Sequence, residues 1–339
     1  MNQPIRAVLA GCGGISQAWL KAAQTIEDLE IVGLVDLYEE TARKRADQFG
    51  LDAVEIGSSL PRMLEHTTPD VVFDCTVPEA HVDVTLEALG RGCHVLGEKP
   101  LADSMENARR MVAAAQAAGR VYAVMQNRRY NANIRALKAH LESGETGRLT
   151  TVNSDFFLAP HFGGFRDQMS HVLLLDMAIH TFDAARFLSG ADPVSVYCKE
   201  WNPSGSWYAH GASAVAVFEM SDGIVYTYRG SWCAEGLQTT WESDWRLIGE
   251  RGSTRWDGED GLSAEVVAAQ AGFSSECRVC PIPPYNGPKV DGHTGLLRDF
   301  VDCLRSGRTP ETICTDNIKS LAMVFGAIQS AENGSVITF

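Results

Sequence analysis

Short runs of β-branched residues alternate with helical segments over the first 125 residues of the chain. Strands that alternate with helices form parallel sheets through right-handed crossovers, because each helix carries the chain back to the edge where the next strand begins. The pattern predicts an α/β fold with a doubly wound parallel sheet. The predicted strands are Ile5–Ala10, Glu30–Val35, Val71–Cys75, His94–Leu96 and Val121–Met125. The predicted helices are Ala18–Thr25, Glu39–Phe49, Ala80–Arg91 and Ser104–Ala118.

After residue 125 the pattern changes, which predicts a second domain over residues 126–339. Consecutive strands without intervening helices favour a large, mostly antiparallel open sheet within an α+β domain. The extended runs are Val194–Glu200, Ser213–Met220, Ile224–Trp232, Trp245–Ile248 and Ser253–Trp256. Helical periodicity covers Ile134–Glu142, Leu173–Leu188, Gly295–Arg305 and Asn317–Glu332. The segment Gly258–Gly292 is rich in Pro and Gly with weak periodicity, so we expect it to be irregular.

Charge and cysteine content restrict the partners and the compartment. The chain of 339 residues has 29 Lys plus Arg and 43 Asp plus Glu, a formal net charge of −14. Such a surface repels nucleic acid and anionic membranes, so we expect neither as a partner. No apolar run reaches the roughly 18 residues of a membrane span, and no signal-peptide pattern opens the chain. Nine cysteines without framework spacing favour reduced thiols and a cytoplasmic protein. Cys277 and Cys280 form one CxxC without a second pair, so we expect no metal site.

The first strand runs into a glycine-rich turn, Gly11-Cys12-Gly13-Gly14-Ile15-Ser16, and a helix follows. This strand–turn–helix context favours a dinucleotide site. Gly11 permits the tight turn, whereas Gly13, with Gly14 and Ile15 after it, lets the backbone approach a pyrophosphate at the helix N-terminus. Asp36, at the end of the second strand, can accept two hydrogen bonds from a ribose diol and would repel a 2′-phosphate. We therefore expect NAD, while the nearby Arg43 and Lys44 leave a smaller chance of NADP.

Three further residues lie where a cofactor would cross the carboxyl edge of the sheet. Thr76 and Pro78 follow the strand that ends at Cys75, and Gln126 follows the last predicted strand. Ligands of open parallel sheets bind at this edge. We expect Thr76, Pro78 and Gln126 to contact the cofactor, whereas His81, near a helix start, is interpreted as a packing or capping residue.

Two charged motifs stand out against apolar surroundings. Glu98-Lys99-Pro100 ends a predicted parallel strand, where Lys99 could be an active-site residue or an ordinary ion-pair partner of Glu98. The second motif lies on the nearly all-apolar helix Leu173–Leu188, where Asp176, His180 and Asp183 are spaced i, i+4 and i+7 on one face. Buried ionisable groups must be paired. The polar stripe therefore faces either a ligand or a satisfied Asp–His core pair.

Together, the Gly11–Ser16 turn, Glu98-Lys99-Pro100 and the Asp176/His180/Asp183 helix resemble the glucose–fructose oxidoreductase / inositol dehydrogenase / MocA-like (Gfo/Idh/MocA) family. The resemblance covers nearly the whole chain. It implies an N-terminal Rossmann domain over residues 1–125 that binds NAD, with Glu98 and Lys99 among the residues that contact the cofactor. It also implies a C-terminal domain for substrate binding and oligomerisation. It also implies that Lys99, Asp176 and His180 are catalytic. The reaction implied is hydride transfer between nicotinamide and a secondary carbon, with His180 or Lys99 accepting the hydroxyl proton.

The substrate class follows from the number of polar groups expected at the site. Many donors and acceptors would be left unpaired by a simple alcohol, so we expect a cyclic polyol, a sugar derivative or an inositol. Trp232 is expected to offer an aromatic face, and the family resemblance places His293 near the pocket. The expected substrate contacts are Lys99, Arg128, Tyr130, Arg166, Asp176, His180, Asp183, Trp232 and His293.

Two other functions are compatible with the sequence. A glycosidase that uses NAD transiently would release an aglycone without net NADH, and a non-catalytic dinucleotide sensor would not need Lys99, Asp176 and His180 together.

Five of the seven Trp lie between Trp201 and Trp245, and such a concentration suits packing or a subunit interface. We expect a homo-oligomer formed through the C-terminal sheet.

Overall fold

A computed structural model describes residues 3–270 and 272–339, which form two compact units. The first unit ends at Tyr130 and then resumes over Pro288–Leu321, and the second comprises Asn131–Gly287 and Ala322–Phe339. The predicted division at residue 126 placed all later residues in one domain, whereas the structure returns residues 288–321 to the first unit. The reason is that the helix His293–Ser306 buries its apolar face in the core of that unit.

The first unit contains a six-stranded parallel sheet in the order β3-β2-β1-β4-β5-β6, which confirms the predicted Rossmann fold. Its strands are β1 (Ile5–Ala10), β2 (Leu29–Val35), β3 (Glu55–Gly57), β4 (Val71–Asp74), β5 (His94–Gly97) and β6 (Tyr122–Val124). The short edge strand β3 was not predicted, because three residues carry no measurable periodicity.

Five helices connect these strands, and local sequence explains where several of them begin and end. The N-cap Ser104 accepts a hydrogen bond from Asn107 N–H at 3.2 Å, and Gly50 ends another helix in the left-handed conformation. The third helix was not predicted. The helices are α1 (Ser16–Ala23), α2 (Glu39–Phe49), α3 (Leu60–Thr67), α4 (His81–Gly90) and α5 (Met105–Ala118).

The second unit contains a nine-stranded sheet in the order β14-β13-β12-β11-β7-β10-β9-β8-β15, with one parallel pair, β7 with β10. The expected large, mostly antiparallel sheet is confirmed. Its strands are β7 (Leu149–Phe157), β8 (Pro193–Trp201), β9 (Ser213–Met220), β10 (Val225–Ser231), β11 (Asp244–Gly249), β12 (Gly252–Trp256), β13 (Leu262–Ala269), β14 (Glu276–Cys280) and β15 (Ile337–Thr338).

The expectation of an irregular Gly258–Gly292 segment is wrong for Leu262–Ala269 and Glu276–Cys280, which form β13 and β14. In β13 the inward positions are Ala264 and Val266, and the outward ones include Glu265. A strand with small inward residues buries little apolar area, so its alternation is weak in the sequence.

Helices cover one face of the second sheet. They are α6 (Ala132–Glu142), the short α7 (Phe165–Gln168) and α8 (Ile179–Ser189), which directly follows a π-helical turn over Leu173–Ala178. Phe182 of α8 packs edge-on against Phe218, Tyr226 and Tyr228 of the sheet, with ring centroids 4.9, 6.1 and 5.1 Å away. The last helices are α9 (His293–Ser306) and α10 (Cys314–Asn333). Within the described residues, no helix is both long and apolar enough to cross a membrane.

Candidate active site

The glycine turn lies between β1 and α1 and has the shape that a phosphate group needs. Gly11 has φ +89°, and a Cβ there would lie 2.6 Å from the carbonyl carbon of Cys75, so only glycine fits. A Cβ on Gly13 or Gly14 would meet nothing within 4 Å, which leaves the backbone approachable. Beneath the turn, the buried Ser16 donates a hydrogen bond to Gly13 O at 2.6 Å. The turn and the first N–H groups of α1 therefore fit a dinucleotide pyrophosphate.

Asp36 directly follows β2, as predicted, and it is tied to the same turn. Its Oδ2 accepts the Cys12 N–H at 2.9 Å, and its Oδ1 accepts the Tyr38 N–H at 3.0 Å. Burial, with a further contribution from Asp36, raises the pKa of the Cys12 thiol to about 12, so this thiol is not a nucleophile at neutral pH. Asp36 is held where it could accept ribose hydroxyl groups.

A basic residue that the sequence analysis missed lies at the glycine turn. Arg45 of α2 donates to Gly13 O at 2.9 Å and to Cys12 O at 3.2 Å. Lys44, which we considered for NADP, pairs instead with Glu40 at 2.8 Å on the exposed side of α2. Only the tertiary fold brings Arg45 to the turn, so no local motif could have identified it.

At the end of β4, the residues expected near the cofactor form a buried network. The Thr76 hydroxyl donates to Asp74 Oδ1 at 2.5 Å, and Nδ1 of the buried His81 lies 2.9 Å from Asp74 Oδ2. Burial opposes the charged form of His81, but the Asp74 carboxylate outweighs it and raises the pKa of His81. Pro78 is half-buried in the turn that follows. The hydroxyl of Thr76 is committed to Asp74, whereas Pro78 remains accessible to a ligand.

Glu98 and Lys99 follow β5, and Glu98 anchors this part of the site. Glu98 is buried, its Oε1 accepts the Trp19 indole N–H at 2.6 Å, and its Oε2 accepts the Lys99 N–H at 3.1 Å. The His293 Nε2 lies 3.9 Å from Glu98 Oε1, and its Nδ1 accepts from the Asn127 amide at 3.2 Å. Burial alone would raise the pKa of Glu98, but His293, Trp19 and Lys99 together lower it.

Lys99 itself is half-buried and is joined to Pro100 by a cis peptide bond. The first unit therefore places His293 beside Glu98, whose carboxylate also accepts the Lys99 N–H. Arg128, also half-buried, lies in the turn after β6.

Two residues of the first unit that we expected to contact the substrate or the cofactor, Tyr130 and Gln126, are buried in this structure. Tyr130 is 1% exposed and donates its hydroxyl hydrogen to Asp299 Oδ2 at 2.8 Å, so it is a packing residue and not a substrate contact. Gln126 has no exposed surface, and neither end of its amide has a hydrogen-bond partner among residues 3–270 and 272–339. An unsatisfied buried amide costs about 1–3 kcal/mol. A bond to a cofactor would relieve that cost once the side chain moves.

The polar motif of the second unit lies on the π-helical turn and on α8. Asp176 and His180 are half-buried, and the residues between them are buried. Asp183 has no exposed surface, so its carboxylate is not accessible to a ligand in this conformation. A π-helical turn inserts an extra residue into a helix and often marks a functional site. The i, i+4 and i+7 spacing is that of a regular α-helix and does not predict this turn.

Asp176 is held by Arg166, which the sequence analysis had placed only at the substrate. The Arg166 Nε donates to Asp176 Oδ2 at 2.8 Å, and its Nη2 donates to Oδ1 at 3.4 Å. Asp176 was expected to be catalytic and to contact the substrate. The bidentate pair adds a cation to this site.

The expected aromatic face of Trp232 is not available. Trp232 is 1% exposed and packs against Phe156, Phe162 and Trp241, with ring centroids 5.3, 5.8 and 5.6 Å away. Its neighbours Phe162 and Trp241 are each 47% exposed. These two rings, and not Trp232, offer apolar surface at this end of the second sheet.

The described residues contain no cluster of three or more His, Cys, Asp or Glu side chains that could hold a metal ion. Cys277 is exposed and Cys280 buried, both on β14.

Known proteins resemble this chain along most of its length. Uncharacterized protein y4oX of Sinorhizobium fredii is 28% identical over 96% of this chain and 93% of its own length. D-apiose dehydrogenase of Paraburkholderia graminis is 26% identical over 98% of this chain and 89% of its own length. The crystal structure of an oxidoreductase from Agrobacterium radiobacter in complex with NAD+, L-tartaric acid and magnesium has the same fold, with a TM-score of 0.86, 22% identity, and 99% and 98% coverage.

Two family models match the two halves of the chain. The NAD-binding Rossmann fold of the Gfo/Idh/MocA oxidoreductase family matches residues 5–126, where the glycine turn and Asp36 lie. The C-terminal domain of the same family matches residues 134–255, which include Asp176 and His180. This chain therefore belongs to the Gfo/Idh/MocA family of oxidoreductases, and its first unit is an NAD-binding Rossmann domain.

Proposed function

We propose that this protein is a dehydrogenase that transfers a hydride between nicotinamide and a secondary ring carbon of a sugar derivative or an inositol. The observation that carries the proposal is the placement of Asp176 and His180, two half-buried polar residues with only buried residues between them. Ionisable side chains that stay partly accessible on a mostly buried helical segment are suited to contact a polar ligand. The name of the relative D-apiose dehydrogenase supports a sugar as the substrate class.

In the proposed mechanism, each polar residue has a separate task. His180 accepts the hydroxyl proton, because the ordinary pKa of histidine lies near neutral pH. Lys99 donates a hydrogen bond to the reacting oxygen and stabilises the developing alkoxide charge. Asp176 binds a neighbouring hydroxyl group or orients the imidazole. Bound NAD supplies the hydride acceptor.

Lys99 is also suited to the role of the base if it is desolvated. Its backbone is fixed by Glu98, whose carboxylate remains ionised because the pKa is lowered by His293, Trp19 and Lys99 against the effect of burial. Glu98 therefore keeps a negative charge beside Lys99. We assign proton acceptance to His180 and oxyanion stabilisation to Lys99, and the exchange of these two roles is the alternative.

The test is a screen for NADH absorbance with purified protein, sugars, sugar acids, anhydrosugars and inositols, with NAD and NADP in parallel. We expect NADH to form with at least one cyclic polyol. Release of an aglycone without net NADH would replace the proposal with the glycosidase reaction, and tight NAD binding with no turnover of any substrate would replace it with a sensor.

We also propose that the outer face of the second sheet binds a second copy of the chain. Adjacent strands place Tyr197, Val217, Thr227 and Asn153 in one row across this face. Tyr197 is 47% exposed and Val217 is 40% exposed, and the neighbouring Arg229 is neutralised by Asp155. A face that is apolar in its centre and internally neutralised suits a subunit interface. Light scattering should give the wild-type protein the molar mass of a dimer or a larger oligomer, and Val217→Asp should lower that molar mass. A monomeric wild-type protein would refute the proposed interface.

A further inference from the structure

Arg166 is fixed on several sides before any substrate binds. Its Nε and Nη2 donate to the two carboxylate oxygens of Asp176 at 2.8 and 3.4 Å. The guanidinium carbon lies 4.8 Å from the centroid of the Phe162 ring and 4.9 Å from that of Phe165. Cation–π contacts on two rings and a bidentate carboxylate leave the guanidinium little freedom to rotate.

The loop that carries these residues is itself constrained. Gly163 and Gly164 have φ of +68° and +69°, a conformation that strains any residue with a side chain. Phe162 packs on the buried Trp232, with ring centroids 5.8 Å apart. The backbone turn and this anchor hold Arg166 at Asp176, so binding a ligand there costs little conformational entropy.

One edge of the guanidinium remains available. Arginine has five N–H donors, and Asp176 uses those on Nε and Nη2. The Nη1 group makes no hydrogen bond to any described residue of the chain, and it is not among the buried unsatisfied atoms. The side chain is 31% exposed. The accessible edge therefore carries unused donors beside a residue of the proposed catalytic set.

We infer that Arg166 determines substrate specificity by binding a carboxylate of the substrate, so that the preferred substrates are cyclic polyhydroxylated acids, such as uronic acids. This inference rests on the proposed function. A preorganised guanidinium binds a carboxylate through charge-assisted hydrogen bonds, whereas a neutral sugar offers only weaker partners. The carboxylate does not react: the carbinol carbon loses its hydride to NAD and its hydroxyl proton to the base, which gives a ketone.

The experiment compares each neutral sugar with the acid that differs from it by one carboxylate, for example glucose with glucuronate and galactose with galacturonate, at saturating NAD. For wild type, we expect kcat/KM to be at least about tenfold higher for the best acid than for its neutral partner. Arg166→Gln should reduce that acid-to-neutral ratio by about tenfold or more, and Arg166→Lys, which keeps the charge, should reduce it less.

The matched control is Arg148→Gln, which removes another Arg–carboxylate pair of the same unit, that between Arg148 and Glu250 at 3.2 Å. This control should leave the ratio unchanged. Neutral sugars oxidised as efficiently as their acids would overturn the inference and leave the proposed function intact. So would an Arg166→Gln variant that slows both classes equally, because Arg166 would then only position Asp176.

A binding measurement separates this inference from the proposed function. Titration of the protein–NAD complex with glucuronate and galacturonate by calorimetry needs no turnover. If no sugar or acid is oxidised but wild type binds an acid at least about tenfold more tightly than Arg166→Gln does, the inference stands while the proposed function fails. If these acids bind both proteins equally or neither protein, the inference is wrong.

Discussion

The imidazole Nδ1 of His171 lies 2.5 Å from Oε2 of Glu200, immediately before the helical segment that carries Asp176. The Nε2 of the same ring lies 3.4 Å from Glu332 Oε1, and the His171 carbonyl accepts the Leu175 N–H at 2.9 Å. The hydrogen bond to Glu200 raises the pKa of His171 against the opposing effect of burial, with further contributions from both glutamates. A protonated histidine therefore ties the start of this segment to two carboxylates.

This relationship predicts a pH-dependent stability. Because the folded-state pKa is raised, protonated His171 contributes its full stability below about pH 6.5, the ordinary histidine value, and the contribution is lost as the pH rises through the raised pKa. His171→Asn, which tolerates the observed φ of +54°, should lower the free energy of unfolding by about 1 kcal/mol at pH 5.5 and much less at pH 9. Denaturant melts at both pH values measure this.

The matched control is His66→Asn, because His66 pairs with Glu55 at 3.0 Å but with 64% of its side chain exposed. Exposed pairs contribute little. The change in the free energy of unfolding caused by this substitution should therefore be small and the same at both pH values. A His171→Asn destabilisation that does not change with pH would contradict the assignment.

The catalytic residues should separate turnover from cofactor binding. Lys99→Ala and His180→Ala should each lower kcat by about two orders of magnitude or more, because each removes a group that acts on the reacting oxygen. The affinity for NAD, measured by fluorescence titration, should remain within a few-fold of wild type. Lys138→Ala removes a lysine paired with Glu142 and serves as the control. Lost NAD binding with unchanged turnover of the bound complex would show that these residues are structural.

Cofactor choice should depend on Asp36. Wild type should use NAD at least about tenfold more efficiently than NADP, a difference of roughly 1.4 kcal/mol. Asp36→Ser should narrow that ratio, because it removes the repulsion of a 2′-phosphate. It should also weaken NAD binding, since Asp36 holds the Cys12 N–H of the glycine turn. Steady-state kinetics with both cofactors decide this, and an unchanged ratio would exclude Asp36 as the selective residue.

Tyr130 should affect stability and not substrate binding. Tyr130→Phe removes the hydrogen bond to the buried Asp299, whose carboxylate retains Lys289 at 3.4 Å. We expect a loss of about 1–3 kcal/mol in the free energy of unfolding, with KM for substrate unchanged. Chemical denaturation and kinetics on one preparation provide the measurement. A large rise in KM without a loss of stability would restore Tyr130 as a substrate contact.

The fold was predictable because its main elements are long and strongly periodic. The bounds of β1, α2 and β9 match the sequence prediction residue for residue. Five strands were missed: β3, β7, β13, β14 and β15. β3 and β15 have only three and two residues, β13 has small inward residues, and the buried row of β7 includes the polar Ser154. Local pattern gives the type of an element only where enough apolar side chains mark its face.

The site was predictable only where a local motif defines it. The glycine turn and Asp36 lie as expected, because strand–turn–helix chemistry is contiguous in sequence. The contacts of Arg45 and the Arg166–Asp176 pair form only in the tertiary fold, so the sequence did not predict them. Residue type alone also does not show that Trp232 and Asp183 are buried and not exposed at the site. A polar or aromatic residue that is predicted to contact a ligand can instead be buried in the packing around the site.

The return of residues 288–321 to the first unit has a consequence for how the protein is made. Leu297, Phe300 and Val301 of α9 share one core with Ile5 and Trp19, which are synthesised almost 300 residues earlier. A nascent chain that has passed Tyr130 therefore holds a nucleotide-binding sheet with an open apolar side. That side is sealed only when α9 leaves the ribosome, so the first unit cannot finish folding until residues 131–287 of the second unit have been translated.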